Sequence, residues 1–458
     1  MTLEGIRRQK SGQLELALEA RGETSHGQRS GEVPTVANGY GRSGNDHHLI
    51  EAVVERANVL AALKRVRQNR GSPGIDGMTV DDLPVYLMTE WETIRAQLLA
   101  GTYRPQPVRQ QEIPKAGGGV RQLGIPTVLD RFIQQCLLQV LQPRFDPTFS
   151  QHSYGFRPGR RAHDAVRAAQ RFIQDGRRWV ADVDLEKFFD RVNHDVLMGR
   201  LARRIGDKRM LRLIRRYLEA GIMANGVVME RYEGTPQGGP LSPLLANVLL
   251  DEVDKELEKR GLAFARYADD LNVYTRSERA AEDAMATLKR LYARLRLHVN
   301  DSKSAVARAW ERKFLGFSFW VAPGRVIRRR IALQALKEMK DRVRQITGRN
   351  GGRSLTVVVA ELREYLIGWK NYFQLAETSR VFRDLDEWIR HRLRAVQLKQ
   401  WKRGRTMYRE LRARGLSASD AAYVASNGRR WWHNSGMLIH LALPNRTFNA
   451  LGVPRLGD

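Results

Sequence analysis

Two adjacent carboxylates, Asp269 and Asp270, stand in the run Phe264-Ala265-Arg266-Tyr267-Ala268-Asp269-Asp270-Leu271-Asn272-Val273-Tyr274. The β-like stretches on either side predict a tight hairpin with the acids at its tip. Side-by-side aspartates repel, and no packing role calls for both; a pair of divalent cations would neutralise them. The bland reading is an exposed acidic turn. A second source of carboxylates lies upstream in Trp179-Val180-Ala181-Asp182-Val183-Asp184-Leu185-Glu186-Lys187-Phe188-Phe189-Asp190. On a strand, Asp182 and Asp184 project to the same face, so periodicity does not choose between them. Either could join the hairpin pair in a site whose two cations, about 3.5–4 Å apart, clamp the attacking and leaving oxygens of a phosphoryl transfer. Between the two runs, Gly234-Thr235-Pro236-Gln237-Gly238-Gly239-Pro240-Leu241-Ser242-Pro243 holds three glycines and three prolines in ten residues. That composition predicts a rigid turn approached closely by another backbone, with a helix beginning near Leu244.

These residues need a scaffold, and the periodicity supplies one. Helical spacing starts near His48, with Leu49, Val53, Ala57, Leu60 and Leu63 on one face. Gly71–Gly77 reads as a loop, and a second helix follows over Tyr86–Leu99. Ile113–Pro126 reads as two short strands around a Gly-rich turn, with Lys115 and Arg121 on its arms. Val128, Leu129, Phe132, Ile133, Cys136, Leu137, Val140 and Leu141 make a helical stripe, which gives Cys136 a packing role. Helices then alternate with short strands at Trp179–Asp184, Phe264–Tyr267 and Leu271–Thr275, and Lys313–Val321 reads as a further strand pair. From Ser354 the pattern is helical. Val358, Leu362, Tyr365, Leu366, Trp369 and Phe373 form one apolar face; Phe382, Leu385, Ile389, Leu393 and Val396 form another, among Arg383, Arg390, Arg392 and Arg394.

Composition narrows the classes. The 458 residues carry a formal net charge of +28, of which +19 falls in residues 301–458. Excess positive charge concentrated in this way reads as a polyphosphate-binding surface. A hydrophobic content of 42% supports ordinary cores, and no apolar run is long enough for a membrane span or a secretory signal. The single cysteine excludes a disulfide framework and a thiolate-rich zinc site, and suits a reducing cytoplasm. Residues 1–45, rich in Gly, Ser, Arg and Glu, read as a disordered leader.

In order, the strings KAGGGVRQLGIPTVLDRFIQQ, QHSYGFRPGRRAHDAV, DLEKFFDRVNH, GTPQGGPLSPLLANVLLDEVD, RYADDLNVY and KFLGFSF resemble bacterial group II intron-encoded reverse transcriptases, which also act as maturases. The likeness covers about residues 48–455. It implies an α+β right-hand polymerase, with fingers and an antiparallel palm sheet, a helical thumb or maturase domain, and a small basic C-terminal segment. The implied divisions are 1–45 leader, 46–105 N-terminal helical extension, 106–325 fingers and palm, 326–400 thumb, and 401–458 nucleic-acid-binding segment.

The family pattern D-x-x-x-F-F-D aligns Asp184 with the palm carboxylate, so the resemblance implies that Asp184, Asp269 and Asp270 hold two Mg²⁺ ions, with Mn²⁺ as a substitute. Lys303 matches the general acid for pyrophosphate. Lys115 and Arg121 match the residues that grip the incoming triphosphate; Phe189 matches the steric gate that favours dNTPs; Gln237 and Gly238 match the turn against nucleotide and template. The implied partners are group II intron RNA, an RNA template with a DNA primer, target DNA and dNTPs, in a bacterial cytoplasm or nucleoid. GWKNYF, Gly368–Phe373, marks the maturase domain, whose arginines are the expected RNA contacts, and Trp431 and Trp432 beside Arg429 and Arg430 suit base stacking or a small helical cap. A cysteine-bearing HNH endonuclease, frequent in relatives, has no counterpart here, so second-strand cleavage is not expected. Two other readings are a splicing-only RNA-binding maturase, which the intact carboxylates disfavour, and a host-adopted relative in DNA repair or phage defence.

Overall fold

The computed structural model describes residues 48–457 apart from 115–119, 225–226, 230–232, 236–237, 350 and 437. The leader expected over 1–45, and Lys115 and Gln237, lie outside the described residues. The chain divides into two compact units, Met1–Arg312 and Lys313–Asp458.

The first unit opens with helices α1 (Leu49–Val53), α2 (Arg56–Gln68) and α3 (Leu83–Ala100). The single helix expected from His48 is thus broken. Glu55 adopts an extended conformation and starts α2 afresh, which changes the phase of the stripe and leaves Leu60 54% exposed. Strands β1 (Val108–Pro114) and β2 (Val120–Ile125) pair antiparallel, and β1 runs parallel to β4 (Ile222–Ala224), which pairs with β5 (Val227–Met229). Helix α4 (Val128–Phe145) begins at Thr127, whose hydroxyl accepts from the Asp130 amide. Asp130 is buried, and its carboxylate accepts from Tyr103, Tyr217 and the Gln106 amide, tying α4 to its neighbours. Cys136 is buried in this helix, as its place in the stripe required, and burial pushes its thiol up to about 12.

After α5 (Ala162–Gln174) come β3 (Trp179–Val183), a helical turn at Phe188–Asp190, α6 (His194–Ala202), α7 (Lys208–Glu219) and α8 (Ser242–Lys259). Strands β6 (Ala263–Tyr267) and β7 (Asp270–Thr275), helix α9 (Glu278–Arg294) and strand β8 (Ala305–Arg308) complete the unit. The second sheet, in the order β6-β7-β3-β8, is antiparallel throughout, with α5 packed on β6 and α9 on β3 and β7. β8, four residues long, is too short to announce itself by alternation.

The second unit starts with a three-stranded antiparallel sheet: β9 (Lys313–Phe314), β10 (Phe317–Ala322) and β11 (Val326–Ile331). The expected strand pair is present, but the stretch from 326 opens as a strand rather than a helix. Ile327 and Ile331, four apart and buried, put an apolar face on β11, while arginines 328–330 disguise the run. Helices α10 (Leu333–Ile346), α11 (Leu355–Phe373) and α12 (Ser379–Gln400) follow, then five shorter helices α13–α17 within Gly404–Ala450. Both apolar faces expected here are buried, apart from half-buried Tyr365.

Two of the arginines expected to contact RNA do something else. Arg390 is buried and donates to the Asp386 carboxylate and to Asn449 Oδ1; Arg394 donates to the Leu443 carbonyl and Asn445 Oδ1. They fasten the chain's last residues to α12. A buried guanidinium needs several acceptors; Asp386 of the same helix gives Arg390 some of them, and the folded C-terminal segment supplies the rest.

Candidate active site

The antiparallel register brings the separate carboxylates to one end of one sheet. The register ends with Val183 opposite Leu271, and Tyr267 pairs with Asp270 across the hairpin, so Asp184 and Asp270, each the next residue along, come to the same end of the sheet. Asp269 lies in the turn itself, after Ala268, which takes the left-handed conformation (φ 57°). Asp184, Asp269 and Asp270 are all half-exposed.

The structure also separates Asp182 from Asp184. Arg312 donates to Asp182 Oδ2 at 2.7 Å, and the Asn272 amide, its register partner, donates to Asp182 Oδ1 at 2.9 Å. Asp182 is therefore committed to the sheet. Asp184 has a looser neighbour: Lys303 Nζ lies 3.8 Å from its Oδ2, with the lysine side chain 68% exposed. Such an exposed pair contributes little stability. The backbone around Asp184 is better held: its amide donates to Ser304 Oγ and its carbonyl accepts from the Asn300 amide.

Beneath the hairpin turn lies a group that the sequence reading missed. Arg266 is fully buried; it donates to both carboxylate oxygens of Asp254, to Asn247 Oδ1 and, at 2.9 Å, to the carbonyl of Ala268. Burial disfavours the guanidinium charge, but the Asp254 carboxylate outweighs it and raises the pKa of Arg266 above its ordinary value. Asn247 in turn donates to the Gly155 carbonyl at 3.0 Å. Gly155 packs so closely that a Cβ there would overlap the Ala268 nitrogen, while the Tyr154 amide donates to the Arg266 carbonyl. The left-handed turn is thus clamped from below by Arg266 and from the side by the QHSYGF loop. The available signal was an arginine in a strand buried at all five positions, which demands a buried acid from elsewhere in the chain.

Three more of the expected residues have defined local partners. Phe189, half-buried, meets Phe188 and Phe156 edge-on, with ring centroids 5.1 and 6.4 Å away, and its carbonyl accepts from the Thr235 amide. Gly238 takes φ 144°, and a Cβ on it would come within 2.7 Å of the Gly124 carbonyl on β2, so this turn packs against the strand that carries Arg121. Arg121 pairs with Ile113 in that hairpin.

Among the described residues, no group of three or more His, Cys, Asp or Glu side chains is placed to hold a metal ion by itself. The donor set nevertheless fits a hard divalent cation. Mg²⁺ is commonly held by one or two carboxylates plus water and substrate phosphates, and oxygen donors at an open sheet end offer that arrangement rather than a complete cage.

Comparison with known proteins agrees with this layout. Residues 113–319 match the reverse transcriptase (RNA-dependent DNA polymerase) family, and residues 336–415 match the group II intron maturase-specific domain. The chain is 32% identical over 339 residues to protein YkfC of Escherichia coli K12, covering 65% of this chain and 87% of YkfC. It is 37% identical over 206 residues to the group II intron-encoded protein LtrA of Lactococcus lactis subsp. cremoris, covering 45% of this chain but only 34% of LtrA. Among solved structures, a partial Cas6-RT-Cas1–Cas2 complex matches at 26% identity and a TM-score of 0.35, over 54% of this chain and 42% of that one. A catalytic domain of one family followed by a binding domain of the other, with a relative matched over most of its length, places this chain among the group II intron-type reverse transcriptase/maturases, which are RNA-directed DNA polymerases.

Proposed function

We propose that Asp184, Asp269 and Asp270 form the centre at which a DNA primer is extended on an RNA template. The family's chemistry is divalent-metal-dependent; in this reading the three aspartates hold two Mg²⁺ ions, or Mn²⁺ in their place, which supply Lewis acidity toward the primer 3′-hydroxyl and the leaving pyrophosphate. The carrying observation is the register that brings Asp184 and Asp270 to one end of the sheet, beside Asp269 in the hairpin turn. Lys115 and Arg121 grip the triphosphate, where charged donors match phosphate oxygens. Phe189 excludes a ribonucleotide 2′-hydroxyl, and Gln237 and Gly238 form the floor under the base pair. Lys303 acts as a proton donor to pyrophosphate from a position where its ammonium already faces Asp184.

The second unit acts as the maturase. It binds intron RNA and steadies the folded ribozyme by neutralising crowded phosphates, and the RNA is then copied into DNA at a target site during retromobility. Within this reading 46–105 is an N-terminal helical extension, 106–325 the fingers and palm, 326–400 the thumb, and 401–458 the basic nucleic-acid-binding segment. Among the described residues no helix is long and apolar enough to cross a membrane; action on RNA and DNA in a bacterial cytoplasm or nucleoid follows from the proposed partners. The test is primer extension on an RNA template with dNTPs and Mg²⁺. Wild type should extend, and Asp269→Ala should not while keeping RNA affinity. Equal loss of both functions would overturn this division of labour.

A further inference from the structure

Helix α8 uses one face, at Asn247 and Asp254, to support the hairpin. About a third of a turn round the helix, a separate cleft of about 720 Å³ opens between α8, the end of α6 and the last residue of α9. Six cationic side chains line it against three acidic ones. Arg200, Arg203 and Arg204 follow one another at the C-terminal end of α6, where the helix dipole favours cations, and Arg294 faces them from α9.

The acids do not balance this cluster. Glu252 serves both Arg200 and Arg294, the latter at 3.9 Å; Asp251 is engaged by Lys255, and Glu256 by Arg260. Among the described residues, Arg203 and Lys259 have no ion-pair partner. The Arg200 Nε is buried without an acceptor, and burial together with Arg203 and Arg294 lowers the pKa of Arg200. Arg204 is fixed in place. Its guanidinium lies 4.2 Å from the centre of the Phe145 ring and donates to Thr148 Oγ1 at 2.6 Å. Like charges held together at a solvent-open cleft, one of them rigid and two without an ion-pair partner among the described residues, are arranged for a polyanion. The lining holds no aromatic ring, so a ligand's bases have nothing to stack on.

We propose that this cleft is a second nucleic-acid site on the first unit, taking the phosphodiester backbone of duplex RNA without reading its sequence. It is distinct from the sheet end that carries Asp184, Asp269 and Asp270. One RNA could therefore be gripped here while another strand occupies the polymerase site.

The test uses the full chain and an RNA duplex closed by hairpin loops at both ends, so that it offers no 3′ end for extension. Binding is measured across a KCl series for wild type, Arg203→Glu/Arg294→Glu and Arg203→Lys/Arg294→Lys. The charge-reversed protein should lose about tenfold in duplex affinity, and its log–log salt slope should become shallower by about two. The lysine variant should stay close to wild type, and extension of a short primer–template by all three should be equal. Unchanged affinity and slope in the reversed protein would overturn the proposal. So would a loss of extension in parallel with duplex binding, since the effect would then lie in the fold or the polymerase site. If reversal abolished inorganic tripolyphosphate binding and spared the duplex, the cleft would be a small-polyphosphate site instead, and the RNA assignment would fall.

Discussion

Aspartates stand in two opposite settings in the first unit. In the interior, Asp254 is paired with Arg266, and on an inner strand of the sheet Asp182 is paired with Arg312; in each case an asparagine completes the arrangement. At the open end, Asp184, Asp269 and Asp270 remain half-exposed, and Asp184 has only a long contact with a solvent-facing lysine. The difference teaches that residue type and strand position do not decide whether a carboxylate is architecture or chemistry. A guanidinium within hydrogen-bonding reach fixes it as architecture; an open rim leaves it able to bind a cation.

The largest effect should come from substituting the two neighbours on β3 separately. Asp184→Asn should reduce primer extension by on the order of a thousandfold or more with little change in melting temperature. Asp182→Asn should instead cost about 1–3 kcal/mol of stability, because Arg312 loses its acceptor, and should retain most activity. If Asp182→Asn were the inactive one, the contrast would collapse. Next, Arg266→Met should destabilise the first unit by about 3–5 kcal/mol, leaving Asp254 buried and uncompensated. Denaturant unfolding measures this. The double change Arg266→Met/Asp254→Leu should recover much of the stability but not kcat, since nothing would then hold the Ala268 carbonyl. Full recovery of kcat would make the pair mere packing.

A smaller effect is expected at Phe189. Phe189→Ala should relax discrimination against rNTPs by about tenfold or more in kcat/KM ratio, and unchanged selectivity would remove it as the gate. The smallest concerns His152, half-buried between Phe172 and Phe264. Burial, opposed by Glu258 and Asp254, lowers its pKa, so the unfolded chain takes up its proton more readily than the folded one. Stability from the neutral ring is therefore complete above the unfolded value of about 6.5 and is lost as pH falls. Melting temperature should drop more between about pH 7.5 and pH 5.5 in wild type than in His152→Phe.

Much of the fold was legible because alternation and helical spacing are local properties. The hairpin, β3, the α4 stripe and the two apolar faces of α11 and α12 were readable for that reason. The choice between Asp182 and Asp184 was readable from the family pattern but not from periodicity, since physically it rests on Arg312, far along the chain, reaching one and not the other. Arg266 was overlooked on the same ground: its partner comes from α8, and only tertiary packing reveals it. Two arginines of α12, Arg390 and Arg394, were misjudged in the reverse direction, because a run of positive charge looks like a binding surface until its acceptors fold over it. The break at Glu55 turned on backbone geometry that hydrophobic spacing does not encode.

Arg390 and Arg394 carry a consequence for how such chains exchange parts. Their acceptors, Asn449, Leu443 and Asn445, lie some fifty to sixty residues downstream, and the Leu456 and Gly457 amides close on Asp386 of the same helix. The tail and α12 therefore fold as one cassette. A recombination that swapped only the last residues between relatives would strand two buried guanidinium groups, so crossovers that keep α12 together with its own tail are the ones that yield folded offspring.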